Sequence, residues 1–321
     1  VAPAGDINAD GYSDVIVAAP DYDGGNADEG RVYLFVGQSI GLSLNHAWSA
    51  EGNQTGAFFG SSVAPAGDVD NDGFDDVLVG ADRYDSGGLL DNGAVFLWRG
   101  SVAGLGASGT SANADWRYDG TQANEYVGQS VAGAGDVNGD GFSDVIVGGY
   151  GWSNGQAGEG HVLAFHGGTL GLGLAPAWTV ERNQAGMRLG YAVAVAGDVN
   201  ADGYSDVIVS APFYSSGQNN EGRAYVFLGG ATGLPAGAVW TADGNQDLAY
   251  FGHSVATAGD VNGDGYSDVI VGAYGYDGDQ ADEGRVFVYH GSSTGPGLAP
   301  AWTAESNQTN SRFGFAVSSG G

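Results

Sequence analysis

Cysteine and lysine are both absent from the 321 residues, methionine occurs once, and proline only eight times. Without cysteine there is no disulfide, no thiolate nucleophile and no Cys-type zinc site. All basic charge rests on nine arginines against 38 acidic residues, for a formal net charge of −29. Such a chain is unsuited to nucleic acid, whose recognition rests on Arg and Lys neutralising phosphate. Long apolar runs are missing too. None approaches the roughly 18–20 residues that span a bilayer, so no membrane insertion is expected. No window carries helical periodicity of useful length. What is present is glycine, at 61 residues, with 42% hydrophobic and 11% aromatic residues. A disordered acidic chain lacks that apolar content, so a packed core is expected.

The sequence is an array. Residues 6–14 read DINADGYSD, and the pattern returns at 68–76 (DVDNDGFDD), 136–144 (DVNGDGFSD), 198–206 (DVNADGYSD) and 260–268 (DVNGDGYSD). Successive starts lie 62, 68, 62 and 62 residues apart, and the long interval holds an insertion at 104–114 that reads as a surface loop. Around each Asp-rich segment the order is constant. A short apolar stretch ends in Ala-Gly-Asp. The Asp loop follows, then a β-branched run such as 15–17, a Gly/Asp/Ser-rich stretch, an alternating run such as 31–36, and a segment with one Trp. The units are about 1–62, 63–130, 131–192, 193–254 and 255–321, forming a single domain over 1–321. Short runs rich in Val, Tyr, Phe and Ile between Gly/Asp/Asn clusters are the strand signature. Four short strands per unit match the size of a propeller blade. The fold class is therefore all-β, a β-propeller of four-stranded antiparallel blades. Trp48, Trp116, Trp178, Trp240 and Trp302, one per unit, read as blade-packing residues.

In each Asp loop, oxygen side chains fall at positions 1, 3, 5 and 9, with Gly at position 6. Calcium takes six to eight hard oxygen ligands, and a tight loop aims alternate side chains inward. Position 7 can add a backbone carbonyl, and Gly permits the sharp turn. The loop is not an EF-hand, because position 12 is Val17 in a strand run rather than Glu before a helix. Five ion-free Asx turns are the alternative. Against it stand three or four carboxylates within nine residues, which repel one another without a cation. Magnesium fits this flexible geometry less well.

Phe251-Gly252, Ala258-Gly259-Asp260, the Asp loop and Val271-Gly272-Ala273 together resemble the FG-GAP repeat of integrin α-subunit propellers. Phe59-Gly60 and Phe313-Gly314 match its Phe-Gly element, whereas Val127-Gly128 and Leu189-Gly190 depart from it. The resemblance covers essentially the whole chain. It implies up to five calcium ions in hairpin loops on one face. The ligand sets it implies are Asp6, Asn8, Asp10, Tyr12 (carbonyl) and Asp14; Asp68, Asp70, Asp72, Phe74 and Asp76; Asp136, Asn138, Asp140, Phe142 and Asp144; Asp198, Asn200, Asp202, Tyr204 and Asp206; and Asp260, Asn262, Asp264, Tyr266 and Asp268. It also implies partner binding on the opposite face, through loops near 21–29 and 51–58 and their repeats. Tyr22, Tyr84, Trp152, Tyr214 and Tyr276 recur there. A ring of them would cage a cationic or sugar group; packing between blades is the other reading.

Family propellers usually have seven blades, whereas this chain carries five Asp loops. The expectation is a five-bladed ring in which residues 313–321 supply a strand at the N-terminal sheet, in competition with residues 1–5. The alternative is a segment of a seven-bladed propeller, whose open edges would favour oligomers. No nucleophile elbow, phosphate loop or HExxH motif occurs, and His166 and His290 occupy the same unit position as Val36, Arg99 and Leu228. The expected function is a calcium-stabilised extracellular or cell-surface binding and adhesion module, not an enzyme, with a protein or glycan ligand. A calcium-dependent lectin and a purely structural propeller are the alternatives. A glycoside hydrolase or lyase with Asp pairs across the channel is the enzymatic one.

Overall fold

The computed structural model describes residues 1–319. Strand follows strand without a helix longer than the 3-10 turn Ser111–Asn113. Five sheets result, each built from consecutive strands in antiparallel order. The first holds Ala2–Gly5, Asp14–Ala19, Arg31–Phe35 and Trp48–Glu51. The second holds Ser62–Gly67, Asp76–Ala81, Ala94–Trp98 and Trp116–Asp119. The third holds Val127–Gly135, Asp144–Gly149, His161–Phe165 and Trp178–Glu181. The fourth holds Val193–Gly197, Asp206–Ala211, Arg223–Phe227 and Trp240–Asp243, and the fifth Ser254–Gly259, Asp268–Ala273, Arg285–Tyr289 and Trp302–Glu305. These are the five expected blades.

The chain divides into two compact units. One comprises Val1–Gly133, Gly141–Trp152 and Leu163–Ala177; the other comprises Ala134–Asp140, Ser153–Val162 and Trp178–Gly321.

The second strand of each later sheet is apolar on both faces, as in Asp76–Ala81 and Asp206–Ala211, which are buried throughout. A strand flanked on both sides has no solvent face, so period-two alternation is lost and a β-branched run remains. In the first unit, Trp48 of one sheet meets Trp98 of the next edge-on at 5.2 Å, and Phe59 meets Phe96 at 5.6 Å. In the second unit, Trp178 meets Phe227 at 5.0 Å and Trp240 meets Tyr289 at 4.8 Å. Such pairs contribute about 0.5–1.5 kcal/mol each beyond their buried area. Trp116, Trp178 and Trp240 also donate their indole N–H to the carbonyls of Gly173, Pro235 and Gly297, each 57 residues on. The packing role expected for the tryptophans therefore holds for Trp48, Trp116, Trp178 and Trp240. Trp302 differs, at 52% exposed.

Two expectations need correction. The insertion at 104–114 is more than a surface loop. Gly109–Thr110 adds a parallel strand beside Trp48–Glu51, Leu105 is buried in the first core cluster, and Ser111 Oγ donates to the Gly52 carbonyl. The insertion thus covers the outer edge of the first sheet, which would otherwise present unpaired backbone. The first place in that sheet is held by Ala2–Gly5, not by the C-terminal segment. Residues 313–319 form no strand and run along the fifth sheet instead: the Phe313 N–H donates to the Glu283 carbonyl and the Val317 N–H to Ser254 Oγ. The last two residues of that expected closing segment lie outside the described residues.

Candidate functional site

The first, second, fourth and fifth Asp loops begin where the first strand breaks register with the second, as between Val195 and Gly197 or Thr257 and Gly259. The glycine there has a positive φ, +78° at Gly5 and +82° at Gly197, and the bulge turns the chain out of the sheet. A Cβ on Gly5 would also lie 2.3 Å from Asp75 Oδ2, so the next loop closes over this backbone only if it carries glycine.

Within the loop, carboxylates organise backbone. Asp198 accepts the N–H groups of Asp202 (3.1 Å) and Gly203 (2.9 Å), and Asp202 accepts that of Tyr204 (3.1 Å). Asp6, Asp68 and Asp260 hold their loops the same way, with Gly11, Gly73 and Gly265 as the second donors at 2.8 Å. Gly11, Gly73, Gly141, Gly203 and Gly265 all have φ near +90°, the turn expected at position 6. Each oxygen that accepts one N–H retains a lone pair for a hard cation.

The ninth-position aspartates have a second task that the spacing did not reveal. Asp14, Asp76, Asp206 and Asp268 are completely buried. Each accepts the N–H of position 2 in its own loop (Ile7, Val69, Val199, Val261) and that of the glycine closing the third strand (Gly37, Gly100, Gly229, Gly291), at 2.7–3.1 Å. Asp144 accepts from Gly167 at 2.9 Å. Burial pushes the Asp76 and Asp206 carboxyls up to about 7, against the pull of these donors and with a further push from the aspartates at positions 1 and 3 or 5. The exposed Asp260 carboxyl is held below the usual range by the Gly265 N–H and its neighbours.

Consecutive loops are laced together. In the first unit, Asp75 N–H donates to the Asp6 carbonyl and Ser143 N–H to that of Asp68. In the second, Ser205 N–H donates to Asp136 and Ser267 N–H to Asp198. Asp75 carries a carboxylate where other units have Ser13, Ser143, Ser205 and Ser267, and its Oδ2 accepts the Asp6 N–H at 2.7 Å.

The second loop stands apart. Carboxylate oxygens of Asp68, Asp70 and Asp76 lie within 4.8 Å of one another, the one such group among the described residues. Asp70 Oδ1 is buried and has no hydrogen-bond partner among the described residues. Its Oδ2 receives Arg99 Nη1 at 2.7 Å. Elsewhere position 3 is Asn8, Asn138, Asn200 or Asn262, a neutral oxygen donor. An all-oxygen set with an unsatisfied buried carboxylate oxygen suits calcium or magnesium and no soft metal.

The loops between second and third strands lie at the other end of each sheet. Glu29, Glu159, Glu221 and Glu283 are buried at their bases, with Asn92 in the second repeat. Gly25 N–H donates to Glu29 (2.7 Å) and Ser216 N–H to Glu221 (2.6 Å); Asn154 N–H bonds Glu159. Burial pushes Glu29 up, but Asn26 and the surrounding N–H groups outweigh it and hold the carboxyl low. The sequence reading missed these residues. Their signal was the repeated dipeptide Glu-Gly immediately before the third strand, replaced once by Asn92-Gly93.

Tyr22, Tyr84, Trp152, Tyr214 and Tyr276 are half-buried at this end. Arginine planes cover four of them. Arg31 lies over Tyr22 at 5.3 Å, Arg117 over Tyr84 at 4.6 Å, Arg223 over Tyr214 at 4.0 Å and Arg285 over Tyr276 at 4.2 Å. These arginines also pair with Glu51, Asp119, Asp243 and Glu305. Tyr84 and Tyr276 further contact Phe96 and Phe287 of their own sheets. Among the described residues no helix is long and apolar enough to cross a membrane.

A family profile described as FG-GAP repeat matches residues 1–35, 59–98, 127–163, 189–227 and 251–289. Over 266 residues the chain is 32% identical to integrin alpha pat-2 of Caenorhabditis briggsae, an alignment covering 77% of this chain and 21% of that protein. It is 34% identical over 210 residues to integrin alpha-PS2 of Drosophila melanogaster (61% and 14% covered). It is 38% identical over 167 residues to human integrin alpha-IIb (50% and 16% covered). The chain thus spans about a fifth or less of the length of these curated relatives.

Proposed function

The chain belongs to the FG-GAP repeat family, and on that premise we propose that it is a calcium-stabilised binding module of the adhesion type, acting at or outside the cell surface and without catalytic turnover. The observation that carries the reading is the convergence of Asp68, Asp70 and Asp76, with an Asp70 oxygen that is buried and that nothing among the described residues satisfies. In this reading the side chains at positions 1, 3, 5 and 9 of all five loops hold calcium, with the carbonyls of Tyr12, Phe74, Phe142, Tyr204 and Tyr266. Bound calcium supplies the positive charge that the loops lack. The chain's own residues shape the turn: positions 1 and 5 fix it through N–H groups, and position 9 ties it to the third strand. Millimolar extracellular calcium fills even weak oxygen sites, which supports an extracellular setting.

Partner recognition belongs to the opposite ends of the sheets. Buried glutamates and arginine–tyrosine pairs make those loops a firm surface. The partner favoured is a protein, since the relatives are integrin α-subunits.

Thermal unfolding in calcium and in excess chelator tests the metal reading. A site at a hundredfold excess of calcium over Kd adds about 2.7 kcal/mol, so a chelated sample melting roughly 5 °C or more lower is expected. An unchanged melting curve rejects the metal assignment. Turnover of a polysaccharide rejects the non-enzymatic one.

A further inference from the structure

Two of the features that separate the second Asp loop from its siblings meet in space. Position 3 carries Asp70 where the other loops carry Asn. The residue ending the third-strand run is Arg99 where the other units have Val36, His166, Leu228 and His290. Arg99 reaches back 29 residues and places Nη1 2.7 Å from Asp70 Oδ2. Asp70 is nearly buried, with 7% of its side chain exposed, against 41% for Arg99. The arginine head therefore lies at the mouth of the loop, in contact with solvent, while its partner is sunk beneath it. Arg99 is held in place by its own backbone, whose N–H donates to Asp115 Oδ2 at 2.9 Å.

The charge arithmetic gives this contact its meaning. The second loop holds five aspartates, at 68, 70, 72, 75 and 76, and each of the others holds three. Asp75 is occupied by the Asp6 N–H. Asp70 has no backbone donor on Oδ2, only the guanidinium. A cation on the chain itself thus stands at a loop whose siblings have no arginine at the equivalent position.

We propose that Arg99 is a built-in counter-cation for the second loop, so that this loop keeps its fold without metal and binds calcium more weakly than the first, fourth and fifth loops. The comparison of affinities rests on the calcium reading above; the metal-free stabilisation does not. Arg99 acts as a positioning and charge-balancing residue. It claims one oxygen of a ligand-position carboxylate, and its positive charge opposes a second cation nearby. A hydrogen bond between ionised groups carries roughly tenfold to a hundredfold in an equilibrium constant, which sets the size of the effect.

Hydrogen exchange resolved by loop, across a calcium titration from excess chelator, tests this. In the wild type, peptides over 68–76 should stay protected in chelator, while those over 6–14, 198–206 and 260–268 gain about tenfold protection as calcium is added. Arg99→Val copies the first unit, where Val36 is tolerated. It should lose about tenfold protection at 68–76 in chelator and shift the calcium midpoint of that loop about tenfold lower. Asp70→Asn with Arg99→Val recreates the first loop's pairing of Asn8 and Val36 and should respond as 6–14 does. Arg99→Lys, which keeps the charge, should hold most of the metal-free protection, which lost packing alone would not restore. A wild-type second loop as calcium-dependent as the others overturns the proposal, as does unchanged protection in Arg99→Val. If no loop responds to calcium, the calcium reading fails. The metal-free comparison of wild type and Arg99→Val then decides the role of Arg99 alone.

Discussion

Asp206 and Glu221 stand at opposite ends of the same sheet, both buried and both accepting backbone N–H groups. Their surroundings differ in charge. Asp206 is flanked by Asp198 and Asp202, which push its carboxyl further up after burial has done most of the work. Glu221 is also raised by burial, against the pull of the Ser216 N–H; Asp243 adds to the rise, and Arg223, itself paired with Asp243, offsets part of it. The strand-two-to-three ends of the first, fourth and fifth sheets therefore carry counter-charges in Arg31, Arg223 and Arg285, whereas among the described residues the Asp loops have one, Arg99. In the first, fourth and fifth sheets one end brings arginines to its carboxylates, and the other takes its counter-charge, in the calcium reading, from a bound cation.

Removing the buried acceptor at the Asp-loop end should give the largest effect. Asp206→Ala strands the Val199 and Gly229 N–H groups inside the fold, at roughly 1–3 kcal/mol each, so a total loss of about 3–5 kcal/mol is expected. The shift of the denaturant midpoint measures it. A loss under about 1 kcal/mol would mean that water reaches both donors and that Asp206 is only a ligand.

At the opposite end, Glu221→Ala strands the Ser216 N–H and should cost about 1–3 kcal/mol. The contrast lies in the cation response: this loss should be the same with calcium and with chelator. Calcium rescue of Glu221→Ala would erase the distinction between the two ends.

Arg223→Leu is a smaller disturbance of that same end. It removes a two-pronged pairing with Asp243 and a guanidinium 4.0 Å above Tyr214, at a half-buried position. About 1–2 kcal/mol is expected, falling in high salt. Tyrosine fluorescence should change with it, because the Tyr214 ring loses its cover. No change in either would show that the charge balance at this end is incidental.

Much of this was legible in sequence because it is local. The Asp loops announce themselves through side chains within nine residues and a glycine at positive φ, and the β-branched runs mark second strands such as Asp14–Ala19. What escaped depends on partners far along the chain. Glu29 and its equivalents sit among Gly, Asp and Asn, where a carboxylate reads as solvated surface; only the folded loop shows N–H groups converging on it. Arg99 and Asp70 are 29 residues apart, and neither is unusual alone. The edge strand in the insertion is two residues long, too short for any pattern, and exists because the first sheet offers it a free edge. The aromatic set at 22, 84, 214 and 276 was visible as a repeat, but the arginines over the rings were not, since they come from the third strand or, for Arg117, the fourth.

The smallest expected effect concerns His253, next to the Phe-Gly element of the fifth unit. Its ring contacts Tyr274 at 4.5 Å and Phe315 at 4.6 Å, its Nε2 meets Tyr191 Oη at 3.3 Å, and its Nδ1 meets the Phe315 carbonyl at 3.2 Å. Burial lowers its pKa from 6.5, and the Phe315 carbonyl only partly offsets that. The folded protein therefore keeps a neutral ring where the unfolded chain takes up a proton. Above pH 6.5 the stabilisation is complete. As pH falls through that value toward the lower folded one, the unfolded state binds more protons and stability drops. Asp76 and Asp206 work in the opposite direction in chelator. Their folded values near 7 exceed the unfolded 3.8, so acid relieves them first and stability rises as pH falls. The two trends overlap, and only a difference separates them. The unfolding midpoint of wild type minus that of His253→Phe, followed from about pH 7 to about pH 5 in chelator, should fall with pH. A flat difference would place the imidazole in water.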